Sequence, residues 1–308
     1  MSQAILDKQS NCNDQEILLR DMLKLPWRQR SIKTQDIQRQ VVMMTSGDNS
    51  DLLGRKALPV VLYKSENFLV IDKAWDIKIN SNDPKEVTVA TQLSQMFPDL
   101  VDTSTVHGFR FVHRLDYATT GVLCLALNRT TGAEINMAFV NQKVTKHYLA
   151  LVRGHVSCLV RLVKIAIGKD SSVKDINKMC TTENPYCKAP RMAVTKMACL
   201  ERGFYDNQPV SKILMLPFTG RTHQLRVHCH HIGHPVVGDF TYSNRTDIDP
   251  FRMMLHAYRL TASLDNEKLD VTASDPFTSA CDEKWQPNEI CLDYSEAVKR
   301  LEAEIEEY

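Results

Sequence analysis

The run Gly121-Val-Leu-Cys-Leu-Ala-Leu127 carries no polar side chain. A strand with one wet face alternates polar and apolar residues, so an uninterrupted run of this length reads as a strand covered on both faces. The chain therefore needs a sheet with material packed on each side of this strand. Other strand-like runs surround it. Residues 60–63 and 68–71 flank the turn Lys64-Ser-Glu-Asn67 as a hairpin. Residues 148–152, 160–167, 193–200, 213–216 and 252–264 read as further strands. Helices are expected at 88–97 with Thr88 as N-cap, at 130–142 with Ile135, Ala138 and Phe139 on one face, and at 221–231 after Thr219-Gly220. An acidic helix or frayed end is expected over 293–308. Strands dominate and helices are scattered, which predicts an α+β fold with a large mixed sheet.

The character of the chain changes at Leu58. Residues 1–57 are polar and irregular, with one amphipathic stretch (Ile17, Leu18, Leu19, Met22, Leu23, Leu25) and a linker-like run at 45–51. This segment is expected to be an extension or linker, residues 58–275 the main domain, and 276–308 an acidic tail with a short helix. No stretch reaches the ~18 to 20 apolar residues of a membrane span, so no membrane partner is expected. The first residues lack a basic region followed by an apolar core, and Asp7, Asp14, Glu16 and Asp21 argue against an acid-poor presequence. The nine cysteines form no C-x-x-C sets and read as reduced. The expected setting is intracellular, cytoplasm or nucleus ahead of mitochondrion.

A net charge of +1 over 308 residues hides a segregation. Residues 1–107 carry 13 basic and 14 acidic side chains, residues 108–230 carry 18 and 7, and residues 231–308 carry 7 and 16. The segment sums are thus −1, +11 and −9. Either solvated faces cluster along the chain, or the middle segment meets a polyanion.

Four segments could carry chemistry. His113-Arg-Leu-Asp-Tyr-Ala-Thr-Thr-Gly121 sets Asp116 against apolar sequence on both sides. A buried carboxylate needs a cation or hydrogen bonds, so Asp116 is either a reactive group or a cap for loop N–H groups. In Thr219-Gly-Arg-Thr-His-Gln-Leu-Arg226, Arg221 is expected at a helix N-terminus, which disfavours a cation. Its anionic partner would be Asp116 or a phosphate. The cluster His228-Cys-His-His231 with His223 and His234 suggests zinc by composition. Neighbours on a helix point about 100° apart, however, so these side chains cannot converge, and no metal is expected. Tyr148 opens a strand, and matters if it faces the loop of Asp116.

Together these segments resemble the RluA-type RNA pseudouridine synthases. His113-Arg-Leu-Asp-x-x-Thr-Thr-Gly121 matches one family motif, and Lys146, Tyr148, Ala150, Val152 and Gly154 match a second. Residues 219–226, then Gly233-His-Pro-Val-Val-Gly-Asp239 with Tyr242, and Leu255-His256-Ala257 match the remainder. The resemblance covers roughly residues 59–275. The stretch 277–285 and the tail look most like the animal proteins named for an RNA pseudouridylate synthase domain. Two departures stand out: Lys73-Ala-Trp-Asp76 replaces the family's Lys-Pro-Ala-Gly, and Thr120 stands where Ser is commoner. No S4-type RNA-binding module is evident in 1–57.

The resemblance implies a pseudouridine synthase fold, a large and mainly antiparallel mixed sheet with a few flanking helices and a central cleft. It implies isomerisation of uridine in RNA, whether tRNA, rRNA or mRNA. Reactant and product have the same composition and oxidation level, so no cofactor is expected. By the same resemblance Asp116 is the catalytic carboxylate, Arg221 its cationic partner, and Tyr148 the ring beneath the uracil, its hydroxyl assisting loss of the C5 proton. Leu255 walls the other face of the base. Arg114 fills the gap left by the flipped nucleotide, and His113, Thr119 and Arg226 also contact substrate. A monomer is expected. The competing reading is an RNA-binding protein that keeps the fold without catalysis.

Overall fold

The computed structural model describes residues 57–173, 177–265 and 267–303. The expectations for the N-terminal extension fall outside these residues, apart from Ala57. The strands are β1 (Val60–Lys64), β2 (Phe68–Lys73), β3 (Arg110–Phe111), β4 (Thr120–Ala126), β5 (Val144–Arg153), β6 (Val160–Lys164) and β7 (Ile167–Asp170). They continue as β8 (Met179–Thr181), β9 (Cys187–Arg191), β10 (Val194–Tyr205), β11 (Gln208–Pro217), β12 (Leu255–Ser263), β13 (Lys268–Thr272) and β14 (Trp285–Ile290). The helices are α1 (Val89–Met96), α2 (Arg129–Val140), α3 (Gln224–His231) and α4 (Tyr294–Glu302).

Most of the strands join one large sheet, ordered β1-β2-β4-β12-β5-β11-β10-β14, with β3, β6 and β13 on side branches. Every pairing is antiparallel except β4 with β12. That parallel contact pairs Gly121 with Ala257. A Cβ at Gly121 would meet the Ala257 carbonyl oxygen at 2.2 Å, and its φ of +107° suits glycine alone. Close approach here draws the start of β4 against the start of β12. The fold is the α+β architecture with a large sheet that the pattern predicts, and the sheet is mainly antiparallel, as the resemblance implies.

The all-apolar run is covered on both faces, as its composition requires. Val122 and Cys124 pack with Phe68, Val70 and Ile135 of α2 on one side. Leu123 and Leu125 pack with Leu69, Ile71 and Leu93 of α1 on the other. The second half of the sheet repeats the arrangement. Leu149 and Leu214 meet Ala297 and Leu301 of α4, while Ala150 and Ile213 meet Leu225 and Cys229 of α3. Each fully buried side chain of this size contributes about 1.5–3 kcal/mol. Local signals start three of the helices. Thr88 and Thr91 form a capping box, Asn128 accepts from Thr131 N, and Asp293 accepts from Glu296 N.

The helix expected near the end of the chain is α4. The stretch read as a tail does more than carry it: β14 pairs with β10, and Trp285 is wholly buried. Acidic side chains point outward from a segment whose apolar residues complete the core. The described residues fall in one compact unit. Among the described residues, no helix is long and apolar enough to cross a membrane.

Three interior histidines link this packing to pH. Burial holds the pKa of His256 down to about 3 and of His147 and His228 down to about 4, with nearby Arg252 and Arg259 adding to the first two. The unfolded values lie near ~6.5, so on acidification the unfolded chain takes up protons before the folded one does. Stability is therefore full above pH ~6.5 and falls toward pH 4, by up to about 1.4 kcal/mol per pH unit for each ring. The urea midpoint should drop between pH 7 and pH 5. A midpoint that rises over that interval contradicts neutral interior histidines.

Candidate active site

The loop between β3 and β4 is tied down at several points. The His113 ring turns back onto β4, where Nε2 accepts the Cys124 N–H at 2.9 Å and the ring packs on Phe139 with centroids 5.5 Å apart. Burial, aided by the charge of Lys146, holds its pKa down to about 3, which keeps the accepting lone pair free. Thr119 N donates to the Asp116 carbonyl at 3.1 Å and closes the turn. Lys73 Nζ, at the end of β2, donates to the carbonyls of Ala74 at 2.8 Å and Tyr117 at 3.0 Å. Burial lowers the Lys73 pKa to about 7 against the opposing charges of Asp76, Asp116 and Asp72. At the far end, Thr120 Oγ1 lies 2.8 Å from His256 Nδ1 and accepts from Arg252 Nη1 at 3.0 Å. The Arg252 guanidinium sits among the rings of Trp75, Phe251 and Phe277. Trp75 thus gives the departure at 73–76 a structural purpose. The loop presents the Asp116 side chain, 28% exposed, to an open pocket.

The cation beside that carboxylate is Arg226. Helix α3 begins at Gln224, three residues later than its sequence suggests, because His223 takes a left-handed conformation with φ 55°. Buried Gln224 secures the turn. Its Oε1 accepts from Thr219 Oγ1 at 2.7 Å and Arg221 N at 3.0 Å, and its Nε2 donates to Val194 O and Thr195 Oγ1. Arg226, in the first turn of α3, makes a two-pronged contact with Asp239, Nε to Oδ2 at 2.6 Å and Nη2 to Oδ1 at 2.8 Å. The remaining nitrogen, Nη1, reaches Asp116 Oδ2 at 3.4 Å, a long contact whose attraction is chiefly electrostatic. The Tyr242 ring lies 5.0 Å from the guanidinium carbon. Burial opposes the Arg226 charge, but the hydrogen bonds and charge of Asp239, with that of Asp116, outweigh it and raise the pKa. Asp239 is fully buried, and Thr241 N and Tyr242 N donate to its Oδ1.

The expected pairing of Arg221 with Asp116 is therefore corrected. The left-handed turn at His223 separates the two arginines, and Arg221 Nε donates to the Met192 carbonyl at 3.0 Å instead. Arg221 still lines the pocket, together with Arg114, Thr119, Tyr148, Leu255 and Arg226. Tyr148 stands on β5 in register with Ala257 and Met215, at the junction of two core clusters near the middle of the sheet. Burial, then the charge of Asp116, pushes its phenol pKa up. Arg114 is exposed and makes no hydrogen bond or ion pair among the described residues. His113 does not line the pocket, because its ring is engaged with β4.

Sequence reasoning gave no role to Lys73, Asp239 or Tyr242. The signal for the last two was their place in the quoted 233–242 motif; for Lys73 it was a lysine ending an otherwise apolar strand. His223 belongs to this network as well, with Nδ1 3.0 Å from Tyr242 Oη and Nε2 3.9 Å from Asp116 Oδ2. Burial, then Arg226, lowers its pKa. Two other members of the cluster point elsewhere: His228 faces Thr195 and Cys229 faces Met215. Among the described residues, no three His, Cys, Asp or Glu side chains gather as a metal site. A larger cavity of about 270 Å³ is lined by Leu149, Lys212, Tyr258 and Tyr294. Leu149 follows Tyr148 on β5, so this cavity lies on the opposite face of the sheet. Its Lys212 is already matched by Glu201 at 3.2 Å and Asp275 at 2.5 Å.

Residues 60–231 match the family model described as RNA pseudouridylate synthase. The zebrafish (Danio rerio) RNA pseudouridylate synthase domain-containing protein 1 is 50% identical over 228 residues, which is 74% of this chain and 78% of that protein. The dual-specificity RNA pseudouridine synthase RluA of Escherichia coli K12 is 30% identical over 66% of this chain and 85% of its own. The solved structure of human RNA pseudouridylate synthase domain containing 1 superposes with a TM-score of 0.71 at 40% identity, over 80% of this chain and 95% of that one.

The position of His113 makes a stability prediction. His113→Phe removes the acceptor of the Cys124 N–H and should cost about 1–3 kcal/mol in urea unfolding. His113→Gln, whose carboxamide oxygen can accept, should cost less. A Phe variant as stable as the wild type contradicts the β4 anchor.

Proposed function

The chain belongs to the RluA-type RNA pseudouridine synthase family, and we propose that it converts uridines in RNA to pseudouridine with Asp116 as the catalytic carboxylate. One observation carries this reading: a carboxylate with a buried arginine beside it, in a pocket that a tyrosine and a leucine also line.

The reaction breaks the bond from N1 to C1′, rotates the uracil, and joins C5 to C1′. The proton lost from C5 and the proton gained at N1 balance, so no redox or energy input is required. Asp116 acts on the nucleoside as an anion. Arg226 sets a positive charge beside it and is itself held by Asp239, so it enters the reaction already oriented. Arg226 takes the role expected of Arg221 from the resemblance, and Arg221 belongs to the pocket wall.

Tyr148 lies under the base. Its raised pKa keeps the phenol protonated at neutral pH, which favours stacking and hydrogen bonding over action as a ready-made base. A role in moving the C5 proton would begin from that protonated state. Leu255, 3% exposed, closes the pocket on the second face of the uracil. Water is thereby kept from the cleaved glycosidic bond while the base turns.

A uridine within structured RNA reaches such a pocket only after leaving its stack. Arg114, exposed at the rim and unpaired among the described residues, is suited to fill the space left behind, because a planar guanidinium can both stack and hydrogen-bond.

RNA tritiated at uridine C5 tests the assignment. Wild-type protein should release tritium from cellular RNA, and Asp116→Asn should lower the rate by at least about a thousandfold with RNA binding preserved. Wild-type protein that binds RNA yet releases no tritium from any cellular RNA pool defeats the proposal.

A further inference from the structure

Part of the positive charge between residues 108 and 230 is neutralised in the fold. Arg153 pairs with Asp247, Arg202 with Glu289, Lys212 with Asp275 and Arg226 with Asp239, each acid coming from the acidic last segment. A small separate sheet, ordered β8-β7-β9, gathers three basic side chains that no acid neutralises among the described residues. The side chains of its Lys169, Lys188 and Arg191 are exposed and make no hydrogen bond or ion pair among the described residues.

The register makes this arrangement costly without an external anion. Lys169 on β7 is paired directly with Lys188 on β9, and like charges set opposite each other destabilise a sheet. Gly168 permits the close approach, since a Cβ there would meet the Lys188 carbonyl oxygen at 2.4 Å. Arg191 closes the same pairing, opposite Ile167.

This sheet is physically continuous with the pocket. Met192, the residue after β9, accepts the hydrogen bond from pocket-lining Arg221. Met179 of β8 donates its N–H to Tyr242 Oη at 3.0 Å, the same ring that underlies Arg226. Ile167 is buried with Val227 of α3.

We propose that the β7–β9 sheet is a docking arm for the RNA backbone, with Lys169, Lys188 and Arg191 binding phosphates of the strand that flanks the target uridine. The proposal rests on the reading of the chain as an RNA-modifying enzyme. An arm of this kind grips phosphate irrespective of sequence and sets how far the flanking strand must extend from the flipped nucleotide. The neighbouring exposed Tyr186 offers a ring on which a base can stack.

The test combines Lys169→Gln, Lys188→Gln and Arg191→Gln, with Lys268→Gln/Lys299→Gln as a control on exposed lysines elsewhere. Binding of a fluorescein-labelled U-rich RNA 20-mer is followed across salt concentrations. Loss of three phosphate contacts should make the slope of log affinity against log salt shallower by about 2 to 3, with the control unchanged. With RNA tritiated at uridine C5, the triple variant should show KM raised about tenfold or more and kcat preserved. A salt slope equal to the wild type's overturns the arm, and would leave an acidic protein as the fitting partner. Wild-type protein silent in tritium release overturns the synthase reading alone, because the salt slope still decides the arm.

Discussion

The site depends on one chain of charges, Asp239 to Arg226 to Asp116. Asp239 is buried and would be strongly disfavoured as an anion without the arginine fork that meets both of its oxygens. That fork leaves a single guanidinium nitrogen over, and this nitrogen points at Asp116. Stability and the geometry of the pocket thus share one side chain. Removing either partner of the buried pair strands a charge in the interior, at a cost of about 3–5 kcal/mol, so the orientation of Arg226 is enforced by folding and not by substrate.

The sheet brings the ends of that chain together. Gly121 lets β4 touch β12, which sets the Asp116 loop beside Leu255. Strand β5 runs between β12 and β11 and carries Tyr148 into the space that remains. Helix α3, packed across β5 and β11, delivers Arg226 from above. Segments more than a hundred residues apart therefore meet at mid-sheet, where a central pocket was expected. The acidic stretch near the C-terminus closes the far edge through β14 and α4, and its carboxylates neutralise arginines and lysines of the middle segment.

What could be read from the sequence was local. The all-apolar run declared a doubly covered strand, Thr88 declared a helix start, and the motifs gathered Asp116, Tyr148, Leu255 and Arg226 in one place. What could not be read was long-range. The start of α3 depends on a left-handed His223 and on hydrogen bonds from Gln224 to Val194 and Thr195, about thirty residues away. Without them Arg221 looked like the arginine nearest the helix end, and it was assigned the partner that belongs to Arg226. The resemblance implies a substrate contact for His113, yet its ring serves the backbone of β4. The acidic tail misled in a similar way. Its charge concealed the apolar set Trp285, Leu292, Ala297 and Leu301, which is interior.

The central claim is that Arg226, held by Asp239, is the cation that serves Asp116. Single-turnover rates of pseudouridine formation at saturating protein, normalised to folded molecules, compare Arg226→Gln with Arg221→Gln most directly. The account predicts a loss on the order of 10²–10³-fold for Arg226→Gln and less than about tenfold for Arg221→Gln. The reverse order, with Arg221→Gln the more damaging, would contradict it.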